Sequence, residues 1–296
     1  MKAILEYTVK AQDAGKTVET IFRKNFGVSG QLMKFLKMNG RLRCKDKILR
    51  SVDTVSAGDF ITADVTENEP SENIVPKKMP LDILYEDEFL LVVNKPRNLS
   101  VHPSINHFSD SLANGVMYYY RETDTAHKFH AVNRIDKDTS GICVIAKNSF
   151  THAVLSEQMK DKRFFRKYVA IVNGIIPNKS GVISKPIRRG TDGIIKRVVA
   201  KDGKEAITIY NVLKENNGFS LIDILLKTGR THQIRVHFSD MGYPLVGDWL
   251  YGNGDEERTI APNGHLLLSY YAEFYHPKTK KLIKITAPLP EDMKFV

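Results

Sequence analysis

Short apolar segments rich in β-branched residues recur between residues 89 and 226, and they constrain the fold more than any other feature. Several of them alternate apolar and polar positions, which is typical of a strand with one buried face. Helical segments are fewer and do not alternate regularly with the strands, as a doubly wound parallel sheet would require. The sequence therefore predicts an α+β fold around a mixed, mainly antiparallel sheet. The predicted strands are residues 89–96, 141–148, 167–174, 205–213 and 219–226.

Three segments near these strands have the apolar spacing of helices, at residues 111–122, 149–161 and 231–242. Ser149 and Thr231 begin the second and third segments, so each is predicted to cap its helix. Gly242 is predicted to end the third helix.

A polar segment with three prolines, residues 66–80, predicts a linker between two domains. The predicted domains are a small α/β unit at residues 1–65 and a larger one at residues 81–296. In the first, residues 17–27 and 29–40 are predicted helices, the second capped by Ser29, and strand-like pieces follow.

The formal net charge of +10 favours a polyanionic partner such as nucleic acid, although a basic surface can also serve solubility alone. Residues 31–50 concentrate this charge, with seven Lys or Arg residues and one acid. Residues 13–65 resemble the S4-like RNA-binding module, through the basic stretch after Gly40 and the sequence Gly-Asp-Phe-Ile at 58–61. The resemblance implies RNA contacts, against the alternative of a solvated basic face, at Lys34, Lys37, Arg41 and Arg43.

Several kinds of site are not expected. Cys44 and Cys143 lie far apart and form no CxxC pair, so neither a zinc site nor a disulfide framework is predicted. No apolar run reaches the roughly 20 residues of a membrane span, and the first residues are too polar for a signal peptide. The sequence lacks the phosphate-loop, GxGxxG, HExxH and GxSxG motifs. We expect a monomeric cytoplasmic protein that works without a metal or cofactor.

The sequence VNRIDKDTSG, residues 132–141, places Arg134, Asp136 and Asp138 in a loop directly before a predicted strand. A loop held by a rigid sheet is a usual position for a reactive group. The two aspartates suggest the paired acids of a glycosidase, or else groups that bond turn amides.

This stretch also resembles the signature of the RluA-type pseudouridine synthases, H-R-L-D-x-x-T-[ST]-G. Segments at residues 95–103, 167–174, 229–237 and 247–252, and others towards residue 290, resemble further motifs of that family in the same order. Three residues depart from the family pattern. Asn133 stands in place of His, Ile135 in place of Leu and Asn98 in place of Gly.

The resemblance implies an RNA pseudouridine synthase that needs no cofactor. Asp136 is implied as the essential carboxylate, acting as a nucleophile or as a base at C2′ of the ribose. Arg230 is implied as the cation that pairs with Asp136, and Tyr168 as the ring that stacks on the target uracil. Arg134 is implied either to enter the space left by a flipped uridine or to hold the displaced strand.

Four further residues are predicted to bind RNA on this basis. Lys95 and Arg235 are expected at phosphates, whereas His102 and Gln233 either contact RNA or serve the fold. The expected substrate is structured RNA, with ribosomal RNA favoured over transfer RNA. A non-catalytic RNA-binding or ribosome-assembly factor and a nucleosidase are the open alternatives.

Overall fold

The computed structural model describes residues 2–67, 69–104, 108–191, 195–252 and 260–294. Within them the chain forms a four-stranded sheet, a ten-stranded sheet and a two-stranded ribbon, accompanied by five α-helices. In this part of the chain, no helix is long and apolar enough to cross a membrane.

The four-stranded sheet and two helices make up the N-terminal unit. Its elements are β1 (Ile4–Thr8), α1 (Val18–Phe26), α2 (Gly30–Met38), β2 (Leu42–Cys44), β3 (Lys47–Ile48) and β4 (Phe60–Asp64). The strands pair antiparallel in the order β1-β4-β2-β3. Ser29 caps α2 as predicted, because its hydroxyl oxygen accepts a hydrogen bond from the Leu32 N–H.

The ten-stranded sheet is mixed and mainly antiparallel, which confirms the predicted fold class. Its strands are β5 (Ile83–Glu86), β6 (Leu90–Lys95), β7 (His130–Ala131), β8 (Ser140–Ala146), β9 (Phe165–Asn173), β10 (Ser180–Ser184), β13 (Ile207–Asn216), β14 (Phe219–Leu226), β15 (Leu267–Tyr275) and β16 (Leu282–Thr286). The main path runs β10-β13-β14-β9-β15-β8-β6-β5, with β16 beside β15 and β7 beside β8. The pairing of β15 with β8 is parallel. The five predicted strands correspond to β6, β8, β9, β13 and β14, whereas β5, β7, β10, β15 and β16 were not among those predicted.

Three helices and a ribbon complete the larger unit. They are α3 (Leu112–Glu122), α4 (Ser149–Lys160), α5 (Gln233–Asp240), β11 (Ile187–Arg189) and β12 (Arg197–Val199). The predicted caps of α4 and α5 are wrong by one residue. Asn148 caps α4 because its side chain, one residue before Ser149, accepts from the Thr151 N–H. His232 rather than Thr231 precedes α5, and its φ of +58° turns the chain sharply into the helix.

Alternation along β9 gives the large sheet two buried faces. Val169 and Ile171 pack on one side, and Tyr168 and Ala170 pack on the other. Two neighbouring side chains of one strand therefore point into different layers. Tyr168 is on the side that faces α5 and the functional site described below.

Residues 66, 67 and 69–80, the described part of the predicted linker, contain no helix or strand. The segment is nevertheless anchored where it begins, because Thr66 is buried and its hydroxyl oxygen accepts a hydrogen bond from the Ala3 N–H. The Glu67 carboxylate accepts from the Ser149 N–H and contacts the His130 ring at 3.0 Å. The division into domains at residues 65 and 80 stays a prediction.

Candidate active site

Asp136 lies in the loop of residues 132–139, the Asp136 loop, which joins β7 to β8. Asn133 holds the base of this loop. Its side-chain N–H donates to the Ile142 carbonyl at 3.0 Å, and its Oδ1 accepts from the Val144 N–H at 2.7 Å. An amide makes both bonds at once, so Asn133 performs a structural role at the position where it departs from the family pattern.

Lys95 supports the Asp136 loop from below. Its side chain is fully buried, and its ammonium donates to the carbonyls of Pro96, Leu99 and Lys137 at 2.7–2.9 Å. Three acceptors match the three N–H groups of an ammonium. Burial lowers the pKa of Lys95 to about 7. The prediction that Lys95 binds a phosphate is wrong, because its nitrogen is enclosed by backbone.

Arg235 is the cation beside Asp136. One guanidinium nitrogen donates to Asp136 Oδ2 at 3.0 Å, and two donate to the Asp248 carboxylate at 2.7 and 2.8 Å. Burial alone would lower the pKa of Arg235, but the hydrogen bonds to Asp248 and the charges of both aspartates raise it. Burial likewise would raise the pKa of Asp248, and the bonds from Arg235 hold it below its usual value. The guanidinium is therefore a fixed positive charge.

The predicted pairing of Asp136 with Arg230 is wrong in this structure. Arg230 precedes α5, is exposed, and its Nε donates to the Glu205 carbonyl at 2.9 Å. Arg235 instead lies on the buried face of α5, which directs its guanidinium under the Asp136 loop. The prediction that Arg235 binds a phosphate is wrong for the same reason, since only 4% of the residue is exposed.

Gln233 has a structural position as well. Its carbonyl oxygen accepts from the Thr228 hydroxyl and from the Arg230 N–H, and its amide donates to Ile207 and Thr208. The buried side chain thus fastens the start of α5 to the beginning of β13. Because its donors and its acceptor are all engaged, the structure favours the alternative that Gln233 serves the fold over the RNA contact.

Tyr168 and Asp136 share a small cavity of about 60 Å³, called here the inner pocket. Tyr168 is only 5% exposed and reaches the pocket from β9. The Asp136 side chain is 27% exposed, so its carboxylate remains open to a ligand. Apolar side chains complete the walls, which suits a flat, partly apolar group. They are Ile135, Leu226, Ile234 and Leu267.

His232 also lines the inner pocket, and the sequence reasoning did not select it. Its Nε2 lies 3.8 Å from Asp136 Oδ2, and its Nδ1 lies 2.9 Å from the Tyr251 hydroxyl. The Tyr251 oxygen accepts from the Arg197 N–H at 2.7 Å, which leaves its own hydrogen for Nδ1. A neutral His232 in this arrangement carries its proton on Nε2, towards Asp136. Burial lowers the pKa of His232, although the Asp136 charge opposes this effect.

A larger cleft of about 990 Å³ opens from the inner pocket. Arg134 is exposed at their junction, and His102 lines the cleft wall and packs edge-on against Phe129. Among the described lining residues Asp136 is the one acid. The cations that accompany it are Arg134, Lys137, Lys160, Lys162, Arg166, Lys227 and Arg230.

The basic residues predicted in the N-terminal unit differ in their surroundings. Lys34, Lys37 and Arg43 are exposed. Arg41 is half-buried, lies over the Phe35 ring at 5.1 Å and donates to the Thr66 carbonyl. Arg41 therefore has a packing role in addition to its charge.

The described lining of the cleft is strongly basic, which suits a polyanionic ligand such as a nucleic acid. The fold and the site together define an enzyme that acts on nucleic acid.

Comparisons with known proteins identify the class more narrowly. A family model described as RNA pseudouridylate synthase matches residues 89–240. A Bacillus subtilis protein, "Uncharacterized RNA pseudouridine synthase YjbO", is 39% identical over 90% of this chain and 93% of its own length. The "Ribosomal large subunit pseudouridine synthase D" of Buchnera aphidicola is 34% identical over 95% of this chain and 93% of its own.

Solved structures agree with this result. "Human RNA Pseudouridylate Synthase Domain Containing 1" is similar with a TM-score of 0.59 and 25% identity, over 71% of this chain and 83% of that chain. The chain belongs to the RNA pseudouridylate synthase family, as its resemblance to the RluA type predicted. It is an RNA pseudouridine synthase.

Proposed function

We propose that this enzyme converts uridines of structured RNA to pseudouridine with Asp136 as its essential carboxylate. One observation carries the proposal. The Asp136 carboxylate opens into the same small pocket as Tyr168, while the buried Arg235 contacts one of its oxygens at 3.0 Å. The isomerisation of a nucleoside requires three groups close together. They are a carboxylate, a flat surface that binds the base and a fixed cation.

The reaction breaks the bond between N1 of uracil and C1′ of ribose and joins C1′ to C5 of the same base. Asp136 either attacks C1′ or removes the proton from C2′, and a proton leaves C5 after the new bond forms. Among the described residues, Arg235 and His232 approach the carboxylate at Oδ2. Oδ1 is then the oxygen that faces the substrate in either route.

Tyr168 is proposed to contact the uracil ring and to assist the loss of the C5 proton. A uridine stacked in RNA cannot enter a pocket of this size, so it must be flipped out at a cost of about a few kcal/mol. Arg134, exposed at the mouth of the pocket, is proposed to occupy the space that the base leaves. Arg230, which also lines the pocket and is exposed, is proposed to hold the backbone of the flipped nucleotide.

Ribosomal RNA is the favoured substrate, and transfer RNA is the alternative. The support comes from relatives whose names specify the large ribosomal subunit, and from the exposed Lys34, Lys37 and Arg43 of the N-terminal unit. These cations are proposed to bind phosphates outside the cleft, as the resemblance to an S4-like module implies. A monomer is sufficient for this arrangement, because one chain supplies each of the proposed groups.

The test is pseudouridine mapping of total RNA from cells that lack the gene. The same deletion cells are compared without a plasmid, with a plasmid copy of the wild type, and with a plasmid copy of the variant. We expect at least one uridine to lose its modification in the deletion and to regain it with the wild type but not with Asp136→Asn. Asp138→Asn is the matched control, because Asp138 lies two residues away and accepts a hydrogen bond from Trp249. Full modification with Asp136→Asn would refute the role of this carboxylate. A deletion that changes no position would favour a non-catalytic RNA-binding factor.

A further inference from the structure

The cleft is much larger than the pocket that receives the target base. Its volume is about 990 Å³, against about 60 Å³ for the inner pocket. It extends from the Asp136 loop past Tyr168 to the start of β9 and the C-terminal end of α4, where Lys160 and Lys162 lie. A cavity near the upper end of the usual range for small-molecule sites has room for nucleotides beside the target.

Phe165 is an exposed aromatic residue in this cleft. The residue is 43% exposed, although it is the first of β9 and its backbone is paired with Glu273 of β15. The preceding Phe164 is buried and stacks on Phe274 with ring centroids 5.0 Å apart. The buried ring fixes the backbone, so the neighbouring ring is presented from a rigid support rather than from a loop.

The distance from Phe165 to the inner pocket excludes a contact with the target base itself. Phe165 precedes Tyr168 by three residues on the same strand, which corresponds to roughly 10 Å along the backbone. Because side chains alternate along a strand, an odd separation also directs the two rings to opposite faces of β9, so Phe165 lines the part of the cleft next to the end of α4. Lys162 and Lys227 are exposed and also line the cleft. Lys162 precedes Phe165 by three residues, and Lys227 directly follows β14, the strand that pairs with β9. An exposed ring flanked by cations is the arrangement by which proteins hold single-stranded nucleic acid, with bases on the ring and phosphates at the cations.

We propose that Phe165 is a stacking platform for an unpaired nucleotide next to the target uridine, with Lys162 and Lys227 at the adjoining phosphates. The inference rests on the proposed function in taking RNA as the occupant of the cleft. The proposal restricts the target uridines to loops or other single-stranded segments. The reason is that a nucleotide next to the target cannot stack on the Phe165 ring while it is base-paired. Duplex RNA would be held by its phosphates alone at this place.

The test measures the affinity of the full-length protein for two fluorescein-labelled probes, a short oligouridylate and a blunt RNA duplex. Phe165→Leu keeps an apolar side chain but removes the flat ring, and we expect it to weaken oligouridylate binding by about five- to a hundredfold. Duplex binding should remain within about twofold. Phe165→Tyr, which retains the ring, should restore oligouridylate binding.

Leu282→Ala is the matched control, because Leu282 is also 43% exposed on a strand of the same sheet but does not line the cleft. It should leave both affinities unchanged. Lys162→Gln and Lys227→Gln should each reduce the salt dependence of oligouridylate binding by about one phosphate contact.

Wild-type affinity of Phe165→Leu for the oligouridylate would overturn the inference, and so would an equal loss for both probes. The proposed function fails separately, when the wild-type enzyme forms no pseudouridine in cellular RNA. The binding measurement needs no turnover, so the two failures are distinguishable.

Discussion

Asp136 is surrounded by groups from three parts of the chain. Arg235 and His232 come from the start of α5, and Lys95 reaches the backbone of the same loop from the end of β6. Arg235 is in turn fixed by two bonds to Asp248. The position of the carboxylate therefore depends on bonds that cannot adjust independently, which is the condition for a preorganised site.

Arg235 and Arg230 should differ in what their loss does. Arg235→Gln leaves the buried Asp248 without its partner, so we expect a loss of about 3–5 kcal/mol in the free energy of unfolding and a kcat at least tenfold lower. Arg230→Gln should raise KM while the stability stays within about 0.5 kcal/mol, because its side chain is exposed. Urea unfolding measures the change in stability, and steady-state kinetics on an unmodified RNA segment that contains the target uridine measure kcat and KM. A larger fall in kcat for Arg230→Gln would restore Arg230 as the partner of Asp136 during the reaction.

We expect protonation of His232 to lower kcat at acidic pH, which gives the pH–rate profile an acidic limb. Its pKa lies below the ordinary value of 6.5, so the ring is neutral at pH 7 and takes up a proton only in more acidic solution. The proton would add to Nδ1, displace the Tyr251 hydrogen and place a full charge beside Asp136. We expect kcat to fall as the pH drops below about 6.5 in the wild type. His232→Gln should have a lower kcat without this limb.

The control for that pH profile is His102→Gln, because His102 also lines the cleft but packs against Phe129. It should keep the limb of the wild type. An unchanged limb in His232→Gln would show that another group titrates.

Among the secondary-structure elements, β8 is the strand that follows the Asp136 loop. Its first residues pair in parallel with β15, and this pairing fixes the end of the loop. Gly141 is paired with Ser269 at that point and has a φ of +104°. A Cβ at this position would overlap the Ser269 carbonyl. A glycine is needed here both for its conformation and for the close approach of two backbones.

Gly141→Ala should therefore be strongly destabilising, by more than about 2 kcal/mol, and should lower activity by shifting the Asp136 loop. Gly218→Ala is the matched control, since Gly218 also has a positive φ, of +82°, but a Cβ there meets no atom within 4 Å. The control should cost about 1 kcal/mol and leave kcat unchanged. Thermal and urea unfolding compare the two, and equal losses would mean that conformation alone explains the requirement.

At the scale of the whole molecule, the N-terminal unit is packed against the larger one rather than suspended from a linker. Glu6 is paired with Lys278 at 2.6 Å, and the Lys280 ammonium lies 5.8 Å from the centre of the Phe26 ring. Side chains of both units also belong to one cluster of buried apolar residues. Removal of residues 1–65 would expose this contact, so substitutions of surface charges are the cleaner probe of RNA binding.

The triple variant Lys34→Gln, Lys37→Gln, Arg43→Gln should bind RNA more weakly without losing stability, because the three residues are exposed. The slope of log affinity against log salt concentration should fall by about 2 units if each residue neutralises one phosphate. Binding measured at two or more salt concentrations tests this expectation. Lys10→Gln, Lys201→Gln, Lys281→Gln is a control with the same change of charge at exposed positions elsewhere. An equal slope for the wild type and the first variant would make this surface a solvated face.

The fold class, five strands of the large sheet and the family could all be predicted from the amino-acid sequence. These depend on local patterns, because alternating burial, capping side chains and consecutive motif residues are all read from neighbours in the chain. The sequence also placed Asp136 in a loop before a strand, and the structure has the carboxylate open at that position.

Which arginine contacts Asp136 could not be predicted from the sequence, because the contact depends on how distant segments pack together. Arg235 lies 99 residues further along the chain, and its direction depends on a helix that begins after the left-handed residue His232. The sequence held one signal, a charged residue between Ile234 and Phe238 on the apolar face of a predicted helix. The backbone contacts of Lys95 and the hydrogen bonds of Gln233 likewise depend on segments that are distant in the sequence. In a sequence, a polar residue is compatible both with an RNA contact and with a buried, hydrogen-bonded position. Only the folded surroundings distinguish the two.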